Sequence, residues 1–312
     1  MTNPTPDTDQ LLDVFCLGHA SYDQVMSIGH HPSADEKLFA SKLITCGGGP
    51  AANAAICVAR LGLRAGFCGY LGLDNYGEAH FKEFTQEGVN TSLLIRGVNP
   101  TPLSVVLVKP SGERTLVNYK GNTQALMPDA VEFNQINTRI VLVDGHEPAL
   151  SAKFLSQHPD TPSVLDAGSL HAGTELLMTK VSDLVCSEKF AIQYGGSVTQ
   201  AIDKLAMIHP KVVITMGEKG LLWRRGHEQG HLSAPKVKAI DTTGAGDAFH
   251  GAYAAALAMN MNWLDTLQFA SIAGALACCQ LGARTSIATH SQHLDLLKKT
   301  KFAVNTTVLS RI

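Results

Sequence analysis

Short apolar runs at residues 140–143, 163–165, 184–186 and 211–216 recur with helical stretches between them, of which 198–208 is the plainest. Runs so brief and so uniformly apolar suit strands buried on both faces, and strands alternating with helices build a parallel sheet covered on both sides. The fold class predicted is therefore α/β, with a central, mainly parallel sheet and helices on both faces. Polar groups recur at one edge of it. The runs end in Asp144-Gly145-His146, Asp166-Ala167-Gly168, Ser187-Glu188 and Gly217-Glu218-Lys219-Gly220. In open sheets of this class, ligands lie beyond the carboxyl ends of the strands.

The first half adds elements of a different kind. An apolar run at 11–17 stops at Gly18, and the loop that follows, through Asp23, is a candidate ligand loop. Residues 24–46 alternate weakly and read as two strands leaving the main body. A glycine turn, Gly47-Gly48-Gly49-Pro50, then feeds a helix of small apolar residues that stops at Gly62, with Asn53 as the one amide in its first turn. After a strand at 66–71, a helix at 76–88 and a short strand at 93–95, the runs 101–108 and 114–119 flank Pro110-Ser111-Gly112-Glu113, a hairpin signal. Segments 24–46 and 100–120 together are expected to form a small β lid on a single domain spanning 1–312. Further on, 221–223 and 231–232 read as an antiparallel edge, 263–280 as an apolar helix, and 281–284 as a turn back over the site. The tail from 298 carries no signal.

The run Asp241-Thr242-Thr243-Gly244-Ala245-Gly246-Asp247 carries the chemistry. Two glycines flank an alanine where a long apolar helix begins, and exposed N–H groups at a helix start hold an oxyanion or a phosphoryl group. The carboxylate of Asp247 stands beside that site, able to take a proton from a substrate hydroxyl. A helix this apolar is not solvated, so its acid faces a cleft. Competing patterns are weaker. No Walker A loop is present, and the Gly244, Gly246, Gly251 spacing is not that of a dinucleotide fold. His227-Glu228-Gln229-Gly230-His231 matches the zinc-hydrolase pattern, but that chemistry needs a helix, whereas glycines at 226 and 230 indicate an exposed hairpin turn. Seven cysteines without framework spacing read as reduced core residues. A net charge of −2 gives no reason to expect nucleic acid, no apolar run is long enough to span a membrane, and the polar start is unlike a secretory signal, so cytoplasm is expected.

The two glycine motifs, GGGPAANAA at 47–55 and DTTGAGDAFHG at 241–251, with Thr215-Met216-Gly217 between them, resemble those of the ribokinase-like sugar kinases, the PfkB family. The resemblance implies an ATP-dependent kinase that phosphorylates a primary hydroxyl of a small sugar or sugar derivative. Asp247 would be its base and the amides of Gly244, Ala245 and Gly246 its anion hole. Asp23, Gly48, Gly49 and Asn53 match positions that hold sugar hydroxyls. Thr215 and Gly217 match the nucleotide loop, with Gly220 closing it and Ser187 and Glu188 near the magnesium-phosphate region. Asp241, Thr243, Ala277, Gln280, Gly282 and Ser286 fall at the spacing of a monovalent cation loop, which implies potassium. The family's N-x-x-E stands here as Ser187-Glu188-Lys189-Phe190, without the final acid. Lys37, Asn118-Tyr119 and the GGGPAA form resemble the sulfofructose kinase branch, which implies an arginine where Asp144-Gly145-His146 stands; His146 with His19 and Lys120 makes a moderately polar pocket instead. A nucleoside kinase would favour aromatic stacking, against which the 6% aromatic content argues. A catalytically idle sugar or nucleotide sensor is the rival from another class, opposed by the intact Asp247 and glycines. Lids with exposed edges pair, so a homodimer is expected.

Overall fold

The structure, a computed structural model, describes residues 11–309. In order, β1 (Leu12–Leu17), β2 (Ser21–Ser27) and β3 (Lys42–Gly48) precede α1 (Pro50–Arg60), β4 (Ala65–Cys68), β5 (Tyr70–Gly72), α2 (Asn75–Gln86) and β6 (Ile95–Gly97). A hairpin of β7 (Leu103–Val108) and β8 (Arg114–Tyr119) follows, then β9 (Thr138–Val143), α3 (Pro148–Gln157), β10 (Ser163–Ala167), α4 (Ala172–Leu177) and β11 (Asp183–Ser187). The rest runs α5 (Glu188–Gly195), α6 (Val198–Ile208), β12 (Lys211–Thr215), β13 (Leu221–Arg225), β14 (Glu228–Leu232), α7 (Ala245–Ala258), α8 (Trp263–Ala277), α9 (His290–Lys299) and β15 (Val304–Val308).

The predicted parallel sheet is present. Strands β4, β1, β9, β10, β11 and β12 lie side by side and parallel, and β13, β14 and β15 continue the same nine-stranded sheet antiparallel. Its central strands β1 and β9 to β12 are largely apolar because successive side chains point to opposite faces and each face has its own core. In β1, Val14 and Cys16 join a cluster with residues of α1, α7 and α8, while Phe15 and Leu17 join Phe154, Phe190 and Leu205 from α3, α5 and α6. Among the described residues no helix is long and apolar enough to cross a membrane.

A small separate sheet is present, four-stranded in the order β3-β2-β7-β8; its strand β2 begins at Ser21, so Asp23 lies on a strand and not in the loop after Gly18. Two further readings are corrected. The run at 66–71 is not one strand: a Cβ on Gly69 would lie 2.3 Å from the Gly18 carbonyl oxygen, and at this close approach β4 ends and β5 leaves to pair with β6. Strand β6 itself begins at Ile95 rather than at residue 93. The C-terminal tail, which carried no signal, supplies edge strand β15. Its residues Asn305, Thr306 and Thr307 are exposed and polar, so backbone pairing holds it beyond Val304, the one β15 side chain packed against the core.

Helices α1 and α7, which carry Asn53 and Asp247, pack at close range. A Cβ on Gly251 would lie 2.7 Å from the Ala54 carbonyl oxygen and 2.9 Å from the Cys57 Cβ. Gly251→Val is therefore expected to destabilise the fold by about 1–3 kcal/mol through overpacking. A melting temperature unchanged from wild type would show that the two helices are not locked at this contact.

Candidate active site

The site forms where α7 begins. Gly244 has φ 77°, a left-handed turn that suits glycine, and a Cβ there would lie 2.7 Å from that of Ala283. Beyond it the first-turn amides of Ala245, Gly246 and Asp247 lack intrahelical acceptors. Asp247 is half-buried, and Nδ2 of Asn53 donates to its Oδ2 at 2.7 Å. Asn53 comes from the first turn of α1, started by Gly49 at φ 97° and Pro50. Cβ atoms on Gly48 and Gly49 would collide with the Asp23 carboxylate and the His19 carbonyl oxygen. Asp23, Gly48, Gly49, Asn53 and Asp247 thus converge on one locus. Burial pushes the Asp247 carboxyl above its ordinary range, opposed by the Asn53 hydrogen bond and the His250 charge. Asp23 is pushed up to about 6 by burial, against the Ser21 hydrogen bond.

On the small sheet, Asp23 is registered with Ser104 and Ser104 with Asn118, so these residues form one row across three strands. At the end of β9, the Asp144 carboxylate accepts from the backbone N–H groups of His19 (2.8 Å), Ala51 (3.1 Å) and His146 (2.9 Å), tying three loops together. The His146 ring sits 5.1 Å from that of His19 and 5.2 Å from that of His171. His19, Lys120, His146 and Glu147 line a pocket of about 60 Å³. Desolvation drives the His19 imidazole down to about 3, leaving it neutral. Lys37 lies exposed in the connection between β2 and β3, and nothing in the structure brings it to this locus.

A second group lies at the ends of β11 and β12. Ser187 and Thr215 are neighbours in register, and Gly217 (φ 60°) and Gly220 (φ 86°) bracket one tight turn. The Ser187 hydroxyl is occupied as the cap of α5, accepting from the Phe190 N–H at 3.0 Å. Glu188 pairs with Lys219 at 3.0 Å. Phe190, at the position of the missing acid, is fully buried in the core. The cation-loop residues mostly gather. Asp241, 1% exposed, accepts from the Thr243 N–H (2.9 Å), the Thr243 hydroxyl (2.6 Å) and the Gly282 N–H (2.8 Å). The carbonyl oxygens of Ala277 and Gly282 converge on the Ser286 hydroxyl at 2.6 and 3.1 Å. Gln280 is exposed. His227 occupies a turn, and Glu228 and His231 lie on β14, so the zinc-like pattern has no helix to display it; among the described residues no group of three or more potential ligands could hold a metal ion.

The structure adds residues that the sequence reading passed over. Arg114 of β8 donates to the Thr242 hydroxyl, joining the small sheet to the anion turn. His250, one turn beyond Gly246, places Nδ1 2.6 Å from the Gly246 carbonyl oxygen and 3.3 Å from Asp166, with Nε2 3.2 Å from the Val185 carbonyl oxygen. Burial raises the Asp166 carboxyl to about 7. A lone polar residue in an apolar strand was a usable signal for Ser104. Arg284 ends the 281–284 turn that was expected to pass back over the site, but its bridge to Asn53, 231 positions away, had no signal of its own.

Residues 12–157 and 184–290 match the family profile described as pfkB family carbohydrate kinase. Ribokinase of Bacillus subtilis (strain 168) is 27% identical over 293 residues, covering 91% of this chain and 99% of that protein. Fructokinase of Vibrio alginolyticus is 28% identical over 293 residues, covering 82% and 93%. Among solved structures, ribokinase from Thermotoga maritima aligns with a TM-score of 0.81 at 25% identity, over 92% of this chain and 99% of that one.

Proposed function

This chain belongs to the pfkB family of carbohydrate kinases and uses ATP, and from that premise we propose that it transfers the γ-phosphoryl group to a primary hydroxyl of a small sugar or sugar derivative. The observation that carries this reading is the 2.7 Å hydrogen bond that joins the glycine turn of α1 to Asp247 at the start of α7. It supports a reading in which an acceptor-binding amide and a base serve the same substrate hydroxyl. Asp247 takes the hydroxyl proton, and the amides of Gly244, Ala245 and Gly246 hold the transferring phosphoryl group, so that catalysis is positioning plus charge stabilisation. Asp23, Gly48, Gly49, Asn53, Asn118 and His146 bind the sugar under a lid formed by the small sheet. Ser187, Thr215, Gly217 and Gly220 face the nucleotide.

Magnesium, when bound with ATP, neutralises phosphate charge. Its family ligands do not fit here, because Phe190 is buried where an acid is needed and Glu188 is engaged by Lys219. For potassium, the supporting observation is that Asp241, Thr243, Ala277, Gly282 and Ser286 gather through shared hydrogen bonds, with the Ala277 and Gly282 carbonyl oxygens accepting from the Ser286 hydroxyl. The lid's outer strand β8 leaves Leu116, Val117 and Tyr119 exposed, which supports pairing of two copies through that edge.

Assaying ADP release over a panel of aldopentoses, ketohexoses, sugar acids and nucleosides, with and without potassium, tests the reading. One small sugar is expected to give turnover well above the rest, with potassium raising it. Nucleosides outperforming every sugar, or sugars that bind without any turnover, would overturn it.

A further inference from the structure

Arg284 is 4% exposed, yet its guanidinium meets three polar partners from two other elements. Nε donates to Oδ1 of Asn53 at 3.0 Å, Nη1 to Oε2 of Glu83 at 3.2 Å, and Nη2 to Nε2 of His80 at 3.1 Å. Its guanidinium carbon stands 5.8 Å from the centre of the Phe84 ring. The backbone is pinned too, because Arg60 Nη1 donates to the carbonyl oxygens of Arg284 (2.8 Å) and Ile287 (2.7 Å). Glu83 in turn accepts from the Gly47 N–H at 2.9 Å, at the head of the acceptor turn.

The direction of these bonds follows from the chemistry of the guanidinium. Arginine carries five donors and no acceptor. Whatever it touches must therefore accept. His80 must be neutral with its proton on Nδ1, in keeping with the strong downward push on its imidazole from burial and from the Arg284 charge. Asn53 must turn its carbonyl oxygen toward Arg284, which leaves its NH₂ toward Asp247, where it donates at 2.7 Å. The opposite amide flip would set two oxygens against each other at the base.

We propose that Arg284 is a positioning residue for the reaction: by taking the Asn53 oxygen it fixes the amide flip that presents a donor to Asp247. This rests on the assignment of Asp247 as the base. The same guanidinium anchors three segments at once, namely the start of α1 through Asn53, the inner face of α2 through His80 and Glu83, and the loop that follows α8. That loop is also where Gly282 donates to Asp241, so Arg284 stands between the cation loop and the base. A lysine offers a point charge without the fork and cannot serve Asn53, Glu83 and His80 together.

The test is a double-mutant cycle in the full-length enzyme, with the best acceptor from the sugar panel, reading kcat, KM and melting temperature. Arg284→Lys is expected to lower kcat about 10- to 100-fold, the scale of a misplaced catalytic group. In the Asn53→Ala background the same change should cost less than about threefold, because its target is gone. Losses that multiply in the double variant would show that Arg284 acts by general stabilisation and would overturn the proposal. Arg284→Met serves as a second arm of the same cycle, so that poor folding of either variant leaves the other to decide. Failure of the underlying reading is separable: it would appear as near-normal activity in Asp247→Asn, whatever the cycle shows.

Discussion

Asp247→Asn is expected to lower kcat by at least about three orders of magnitude while leaving nucleotide affinity close to wild type, because it removes the proton acceptor and little else. The substitution is nearly isosteric. The helix start, the glycine turn and the first-turn amides all remain, so the loss reads the base and not the anion hole. A near-normal rate would end the assignment. The pH profile gives a second readout with a defined sign. Asp247 works only as a carboxylate, and burial raises its folded-state pKa above the ordinary range. Activity is therefore full above that raised pKa and is lost as pH falls through it. In Asp247→Asn this acid limb should disappear from whatever residual rate remains.

The fold was legible where burial writes a pattern into sequence. Short runs such as 140–143 and 184–186 are apolar at every position because helices cover both faces of the sheet, and the structure puts them in parallel register as expected. Legibility ended where position is set by something other than burial. The exposed residues of β15 follow from backbone pairing with β14, and the break at Gly69 follows from a backbone contact with Gly18. The candidate site divides the same way. Asn53 and Asp247 were readable because each sits in the first turn of an unusually apolar helix that follows glycines. Glu83, His80 and Arg284 lie on an ordinary surface-type helix and in a loop, and their role exists only after folding has brought together residues about 200 positions apart. Phe190 shows the converse: its departure from the motif was visible, but only the structure shows that this position points into the core.

Gly246→Val should leave the fold intact and cut kcat/KM for ATP by about 100- to 1,000-fold, the scale of putting an oxyanion-type donor out of reach. The two glycines of the turn differ in what a side chain would meet. Gly244 has φ 77° and its added Cβ would lie 2.7 Å from the Cβ of Ala283, so any side chain there strains the backbone and damages fold and site together. Gly246 is exposed, has an ordinary helical conformation, and a Cβ added to it meets nothing within 4 Å. Gly246 is the second residue of α7, and nothing in the packing there requires a glycine. A fold concerned only with stability would not keep it at 246. Its absence of a side chain is explained if a phosphoryl group must approach the amides from that open side, which an isopropyl group would fill. The expected result is thus a melting temperature equal to or above wild type together with a crippled reaction. If Gly246→Val phosphorylates sugar at the wild-type rate, the phosphoryl group does not pass over this turn, and the anion hole must be sought elsewhere at the carboxyl edge of the sheet.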